Sequence, residues 1–499
     1  MRDIYRSIGV EPLIDCRGAI QNMLGSLRRP SVQRAMEAAS HNFVQYDELA
    51  DGIGRRLAEL TGAEWGMVSS GCAAGMKHLT AACISGGNPE KLIRIPDLKG
   101  LDKYEVIIPL YARNVYDHGI RNIGVTIVHV STAEDLKNAI SSRTAMIYLT
   151  SVKASDAGQP LSLEVIAGIA KPHNIPILVD CAPDNLTIPP VHLQRGASVV
   201  AYSGGKAMGG PHCAGLLLGD KDLLMSAWQA SSPHHGPGRD NKVGREEMMG
   251  MLAAVEDWIQ RDHDEDWRKW LSWLDTISLK LSGIEGVKTN VVEPAGLGNK
   301  SPVLYISWDP SKIHINGSEL AELVARTKPR MAIGNRDSND GMTSVYIATS
   351  QMQKGEDQIV ANRLYELLTE NRSPPAPMKP PSVKLEAEWE VEVQYFTSTG
   401  RHKFMIHQEG NWLSGTHRTE FNSNILNGTI EGNQIKLNCP VRVIGDQLTY
   451  LFSGILIENT IRGDVYLGEY LTAKFIAKPN KNNAPRRRIN IPAGPPLAT

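Results

Sequence analysis

The sequence predicts an α/β protein built on a mainly parallel sheet, followed by a small α+β domain and a C-terminal antiparallel, barrel-like β domain. Three observations predict it. Apolar runs at 106–110, 125–130, 145–149, 175–179 and 198–202 alternate with helical intervals, the pattern of strands buried beneath crossover helices. Closely spaced prolines break the chain at 373–381, and proline, lacking an amide donor, favours an extended spacer. Beyond that break, short segments alternate apolar and polar residues between turn residues, which reads as antiparallel strands.

Taken in order, residues 1–50 are assigned to the small domain or an interface, and 51–264 to the large domain. A small α+β domain is expected over 265–372, with strands at 287–292, 303–308, 331–334 and 344–349 and helices near 318–325 and 356–369. A linker at 373–384 leads to a β domain over 385–480. Its strands are placed at 389–396, 402–409, 411–416, 428–431, 434–438, 447–454, 460–463 and 471–477. The recurring units Leu413-Ser414-Gly415, Leu426-Asn427-Gly428, Phe452-Ser453-Gly454 and Ile461-Arg462-Gly463 suggest a tightly curved meander closing into a small up-and-down barrel. Barrels of roughly a hundred residues are usually filled by their own side chains. A lid or interface role is therefore expected above ligand carriage. Residues 481–499, with Arg486-Arg487-Arg488, read as a disordered, solvated tail.

The chemistry concentrates at Lys206, set in Tyr202-Ser203-Gly204-Gly205-Lys206-Ala207-Met208-Gly209-Gly210 between two apolar stretches. A lysine amine attacks an aldehyde in its neutral form, which confinement favours. Flanking glycines let a planar cofactor approach the backbone. Upstream, the apolar run at 175–179 ends in Asp180, and an acid at the carboxyl end of a parallel strand faces the crevice where ligands of open α/β sheets bind. Such an acid pairs with a protonated pyridine nitrogen. Further upstream, a strand at 65–69 runs into Ser70-Gly71-Cys72 at the start of an Ala-rich helix, where free amides and the helix dipole favour a phosphate.

This set, in this order and spacing, resembles fold type I of the pyridoxal-phosphate enzymes, the aspartate-aminotransferase-like fold. Ile14-Asp15-Cys16-Arg17-Gly18, Glu59-Leu60-Thr61-Gly62-Ala63-Glu64, Ser203-Gly204-Gly205-Lys206 and Gly215-Leu216-Leu217-Leu218-Gly219 are similar to the selenocysteine synthase-like group. Within it, the D-glucosaminate-6-phosphate ammonia-lyase-like branch is the nearest in pattern, over residues 1 to about 370. The resemblance implies pyridoxal 5'-phosphate, held by Lys206 as a Schiff base, with Asp180 on the ring nitrogen and Ser70, Gly71, Cys72 and Ser203 around its phosphate. Lys206 would shuttle the substrate's α-proton. Cys72 departs from the small residue usual at its position, without removing the backbone donors.

Other candidates follow from the same resemblance. Arg113, Tyr116 and His118 lie in a region expected over the cofactor face. Arg330 occupies the neighbourhood where an arginine binds the substrate carboxylate, a group that suits a planar bidentate donor. Arg17 is a further substrate candidate. The loop 231–245, with His234, His235, Arg239 and Lys242, concentrates cationic and titratable groups and is expected to line the pocket. Adjacent histidines lack a zinc-site spacing, and the six cysteines show no metal-ligand spacing, so no metal is expected.

The net charge of −1 over 499 residues gives no nucleic-acid footprint. No stretch is long and apolar enough to span a membrane, and the start lacks a signal peptide's apolar core. A cytoplasmic enzyme is expected, at least a homodimer by the family resemblance. Its expected reaction is β-elimination with ammonia release from a polar, hydroxylated amino acid. Racemisation or epimerisation and aldol cleavage use the same Cα carbanion, and the sequence does not separate them. A cofactor fold retained without turnover, with the barrel recognising a partner, is the reading outside enzymology.

Overall fold

Two compact units, Met1–Pro375 and Ala376–Thr499, make up the chain. The computed structural model describes residues 4–20, 24–337, 341–385, 387–480 and 494. The expected tail lies outside the described residues apart from Gly494.

The first unit is centred on a seven-stranded sheet of β1 (Trp65–Ser69), β2 (Glu105–Pro109), β3 (Thr126–Val130), β4 (Thr144–Thr150), β5 (Ile177–Asp180), β6 (Val199–Ser203) and β7 (Gly215–Gly219). Its order is β3-β2-β4-β5-β6-β7-β1. Neighbours from β3 to β6 run parallel, while β7 runs antiparallel to both β6 and β1. The sheet is thus mainly parallel. β1, β2, β5 and β7 are buried along their whole length, which is why they read as continuous apolar runs rather than alternating ones.

Because β7 reverses direction between them, β1 and β6 run the same way as β5. Their carboxyl ends, Ser69, Asp180 and Ser203, therefore lie along one edge of the sheet. After β1 comes the helix Cys72–Ser85, in which every residue but Ala73 is buried. Small side chains allow that depth: a Cβ on Gly75 would sit 2.5 Å from Leu217 Cδ1 on β7.

A second core in this unit surrounds an antiparallel sheet of β8 (Lys288–Val292), β9 (Val303–Trp308), β10 (Gly334–Asp337) and β11 (Thr343–Ala348), ordered β10-β11-β9-β8. The single strand expected at 331–334 divides. Met331–Ala332 pairs in parallel with Ile14–Asp15, while Gly334 begins an edge strand beside β11. Ile14 and Cys16 join this second core, whereas Val32, in the helix Pro30–Ser40, joins the first.

The second unit contains a closed, up-and-down, eight-stranded barrel: β12 (Ala387–Gln394), β13 (Thr399–Glu409), β14 (Trp412–Arg418), β15 (Ser423–Glu431), β16 (Gln434–Val443), β17 (Asp446–Ile457), β18 (Thr460–Tyr466) and β19 (Thr472–Pro479). β19 closes it against β12. Several strands outrun their expected limits; β16 continues through Pro440, paired with Thr449, because a proline removes one donor without shifting the register. Among the described residues of the chain, no helix is long and apolar enough to cross a membrane.

Candidate active site

The helix mouth after β1 is shaped by two glycines. Gly71 caps the helix Cys72–Ser85 at φ 82°, with no side-chain cap on its first amides. That left-handed backbone favours glycine. A Cβ added at Gly71 would meet nothing within 4 Å, so the space before the mouth is open. Gly215 is needed for another reason: its Cβ would lie 2.5 Å from the Gly71 carbonyl carbon. Uncapped amides facing open space are suited to an anion.

Asp180 stands at the end of β5, 5% exposed. Oδ2 accepts the Tyr148 hydroxyl at 3.0 Å, and Oδ1 accepts the Ala182 amide at 2.9 Å and the Cys72 thiol at 3.6 Å. Asn114 Nδ2 in turn donates to the Tyr148 oxygen at 3.2 Å and to the Ala112 carbonyl at 3.0 Å. Burial pushes the Asp180 carboxyl up, against these donors and the Lys206 charge. Such a carboxylate is stabilised by a cation set against it.

Lys206 follows β6 in a loop held by backbone bonds, Gly209 N to Lys206 O at 3.0 Å and Gly210 N to Gly204 O at 2.8 Å. The Lys206 charge also acts on Cys72, whose thiol burial pushes well above its ordinary range. Lysine, acid and helix mouth are therefore electrostatic neighbours. A clamp holds the loop from outside. Arg261 donates to the Ala207 and Met208 carbonyls at 3.2 and 2.9 Å and to Asp257 Oδ2 at 2.8 Å. Arg29 lies 3.1 Å from the same Asp257 oxygen, and its amide donates to the Gly209 carbonyl of the loop at 3.1 Å.

Lys206 lines a cleft of about 1180 Å³ between the two cores of this unit. Arg17, Arg28, Lys269, Lys300 and Arg336 share it, against the acids Asp264 and Asp266. Trp258, Trp267, Trp270, Tyr305 and Tyr346 supply aromatic walls. The excess of cations makes the cleft receptive to an anionic solute.

Several expected site residues lie elsewhere in the chain. Arg330 donates to the Ala325 and Glu11 carbonyls at 2.7 and 3.1 Å and is absent from the lining of the cleft, whereas Arg17 and Arg336 are in it. Arg113 pairs with the buried Asp117 and contacts His129. Tyr116 and His118 are exposed beside it. Their segment does reach the helix mouth: a Cβ on Gly119 would lie 2.6 Å from the Ala73 carbonyl oxygen. The loop 231–245 packs on the far side of the same helix, with Asp240 2.8 Å from Lys77 Nζ and His234 3.1 Å from Asp47. Among the described lining residues of the cleft, none comes from this loop, so His234, His235, Arg239 and Lys242 do not face Lys206 within one chain.

Tyr148, Asn114 and Arg261 are the residues that sequence reasoning missed. Tyr148 carried a signal, a hydroxyl inside a buried apolar run, which requires a partner. Cys181, Asp184 and His192, which no metal-ligand spacing marks in the sequence, offer ligand atoms within 4.8 Å of one another. His192 Nε2 lies 3.0 Å from Asp184 Oδ2, and Arg195 donates to its Nδ1 at 3.3 Å. A ring nitrogen that accepts from arginine leaves Nε2 carrying the proton, so this is a hydrogen-bonded brace behind Asp180 rather than a metal-ready imidazole.

No protein-family model matches the chain. D-glucosaminate-6-phosphate ammonia lyase of Salmonella typhimurium is 28% identical over 377 residues, 73% of this chain and 98% of that protein. A Streptomyces protein described as 5'-C-glycyluridine monooxygenase-decarboxylase is 26% identical over 391 residues, 75% of this chain and 94% of its own length. The solved structure of a D-glucosaminate-6-phosphate ammonia-lyase has the same fold, with a TM-score of 0.64 at 24% identity over 73% of this chain and 98% of that one. The chain has the fold of the fold-type-I pyridoxal-phosphate enzymes and is similar in sequence to members of the selenocysteine synthase-like group.

The residues present fit that group's cofactor. The uncapped mouth at Gly71 offers amides to a phosphate, the buried Asp180 carboxylate suits a protonated pyridine nitrogen, and Lys206 provides the amine. About a quarter of this fold-type-I enzyme has no counterpart in the Salmonella relative.

Proposed function

We propose that the chain is a pyridoxal-phosphate-dependent ammonia-lyase acting on a hydroxylated amino acid that carries a second anionic group, such as a phosphate. The observation that carries this reading is Lys206 lining a cleft with Arg17, Arg28, Lys300 and Arg336. One cation suffices for a carboxylate; several suit a substrate with a further anion. The Salmonella relative, named for a phosphorylated amino-sugar acid, supports the same class.

Pyridoxal phosphate, when bound, supplies an electron sink for the pair released from Cα. Asp180 keeps the pyridine nitrogen protonated, and Tyr148 holds the carboxylate in place. Lys206 Nζ takes the proton from Cα. The same ammonium then returns a proton to the departing β-hydroxyl, which leaves as water, and hydrolysis of the resulting enamine yields keto acid and ammonia. The Arg261 and Arg29 clamp fixes the loop that aims Nζ. A cytoplasmic homodimer accords with this reading, because the six cysteines are free thiols and fold type I sites are generally completed by a neighbouring subunit.

The Streptomyces relative favours a second reading, oxygen-dependent decarboxylation. Incubating the holoenzyme with β-hydroxy amino acids, with and without a distal phosphate, under air and under nitrogen separates the two. Equal ammonia and keto acid in both atmospheres, abolished in Lys206→Ala, supports the lyase. Oxygen uptake matched to carbon dioxide release supports the second reading, and deuterium at an inverted Cα without keto acid indicates racemisation.

A further inference from the structure

An amino-acid substrate brings an α-carboxylate that needs a receptor, and Arg330, expected in that place, is turned to the Ala325 and Glu11 carbonyls. The receptor has to lie beside the reacting centre, because the carboxylate is bonded to Cα itself.

One stretch of the cleft wall meets that requirement. Val303 of β9 pairs with Ala348 of β11. Two residues further out in the same register stand Ser301 and Ser350, and both line the cleft that holds Lys206. The segment leading to Ser301 is fastened to the chain just beyond Asp180. Asn299 N donates to the Pro183 carbonyl at 2.7 Å, Asn185 N to the Leu297 carbonyl at 3.0 Å, and Ser301 N to the Asn299 carbonyl at 2.8 Å. Ser301 is therefore held on the side of the cleft where β5 ends.

Gly18 completes the arrangement, with a left-handed φ of 70°. A Cβ on it would lie 3.0 Å from Ser350 Oγ and 3.9 Å from Ser301 Oγ, so the two hydroxyls converge on a point that the glycine leaves uncovered. Ser301 is buried to 7% exposure, yet neither hydroxyl has a hydrogen-bond partner among the described residues, and neither is sealed from the cleft. Free hydroxyl donors at a cleft wall call for an acceptor. Arg17, bridged through its backbone to Ala348, and Lys300, next to Ser301, bring positive charge to the same stretch. Asp15 accepts the Arg17 amide at 2.9 Å but does not line the cleft. A carboxylate, an acceptor on both oxygens, matches two hydroxyl donors flanked by cations.

We propose that Ser301 and Ser350, backed by Arg17, bind the substrate's α-carboxylate and set a preference for acids over the corresponding alcohols. The inference rests on this cleft being the substrate site of the lyase proposed above. Holding both carboxylate oxygens restricts rotation about the bond to Cα, so that Cα is presented to Lys206 Nζ in one orientation.

The probes are 4-phosphoerythronate and erythritol 4-phosphate, which differ only in carboxylate against hydroxymethyl and have no amine to condense with the cofactor. Titration calorimetry on the holoenzyme should show one saturable site per chain that favours the acid. In Ser301→Ala/Ser350→Ala the affinity for the acid should fall about tenfold or more, the range for hydrogen bonds to a charged group, while the affinity for the alcohol is unchanged. Thermal melts and cofactor absorbance verify that the variant is folded and loaded. Should it not fold, Ser350→Ala alone, at a half-buried position, must lose part of the preference. If the alcohol does not bind while the acid binds through the serines, the distal-anion reading of the substrate fails and this proposal stands. Equal affinity of the parent for both probes, no saturable binding of the acid, or a folded serine variant that keeps the parent's ratio would each overturn it.

Discussion

The Tyr148 hydroxyl donates to Asp180 Oδ2 at 3.0 Å from the adjacent strand of the sheet. Burial and the neighbouring carboxylate push this hydroxyl well above its ordinary pKa, so it remains a donor throughout the working range. Its removal in Tyr148→Phe deletes one charge-directed hydrogen bond, about 1.5–3 kcal/mol. Cofactor affinity and turnover should each fall roughly tenfold or more, by the conversion of 1.4 kcal/mol per factor of ten. Spectral titration of apoenzyme with pyridoxal phosphate, beside steady-state rates, checks this.

Asp180→Asn should separate apo from holo stability. Burial raises the Asp180 carboxyl in the folded chain. A raised carboxyl contributes stability that is present below its unfolded pKa and is lost as pH rises through the folded value. In the cofactor-free protein the buried carboxyl therefore works against stability as pH rises. The variant should leave the apo melting temperature unchanged or higher, yet cancel most of the rise that pyridoxal phosphate gives the parent. Scanning calorimetry of both forms reads the difference.

Arg261 acts on the loop from outside. Its guanidinium joins the Ala207 and Met208 carbonyls to Asp257 and lies 4.8 Å from the Trp258 ring. Arg261→Met should cost about 3 kcal/mol, the range for breaking a largely buried ion pair. Turnover should fall more than substrate affinity, because aim at Cα is lost while the substrate-facing cations remain. Thermal melts and the separate changes in kcat and KM decide it.

Acid should weaken the barrel through His417, buried neutral and pushed down to about 3. A histidine depressed in the folded state leaves stability intact above its unfolded pKa near 6.5. Stability is then lost as pH falls from there toward the folded value. His417→Gln should flatten that decline. Calorimetric melts between pH 8 and 4 provide the comparison.

Lys206 and Asp180 were legible because strand ends in a parallel sheet announce themselves as the last residues of apolar runs. Tyr148 lay in such a run, but its partner is set by the pairing of β4 with β5, which leaves no local mark. Arg261 resembled any helix-terminal cation until the fold brought the loop after β6 beneath it. The loop 231–245 has the Gly, Pro and charges of a pocket rim, yet within one chain its Asp240 pairs with Lys77 on a buried helix. In the barrel, alternation revealed the strands. The gathering of His402, His417, Tyr395 and Tyr450 at one end depends on registers between β13, β14 and β17 that closure alone determines.

Lys206 is proposed to carry the cofactor as its Schiff-base partner. Borohydride reduction of the native holoenzyme, proteolysis and mass spectrometry test it most directly. A phosphopyridoxyl mass increment is expected on the peptide containing Lys206, with its loss in Lys206→Ala. The increment on a different lysine, or unchanged labelling of the variant, would contradict it.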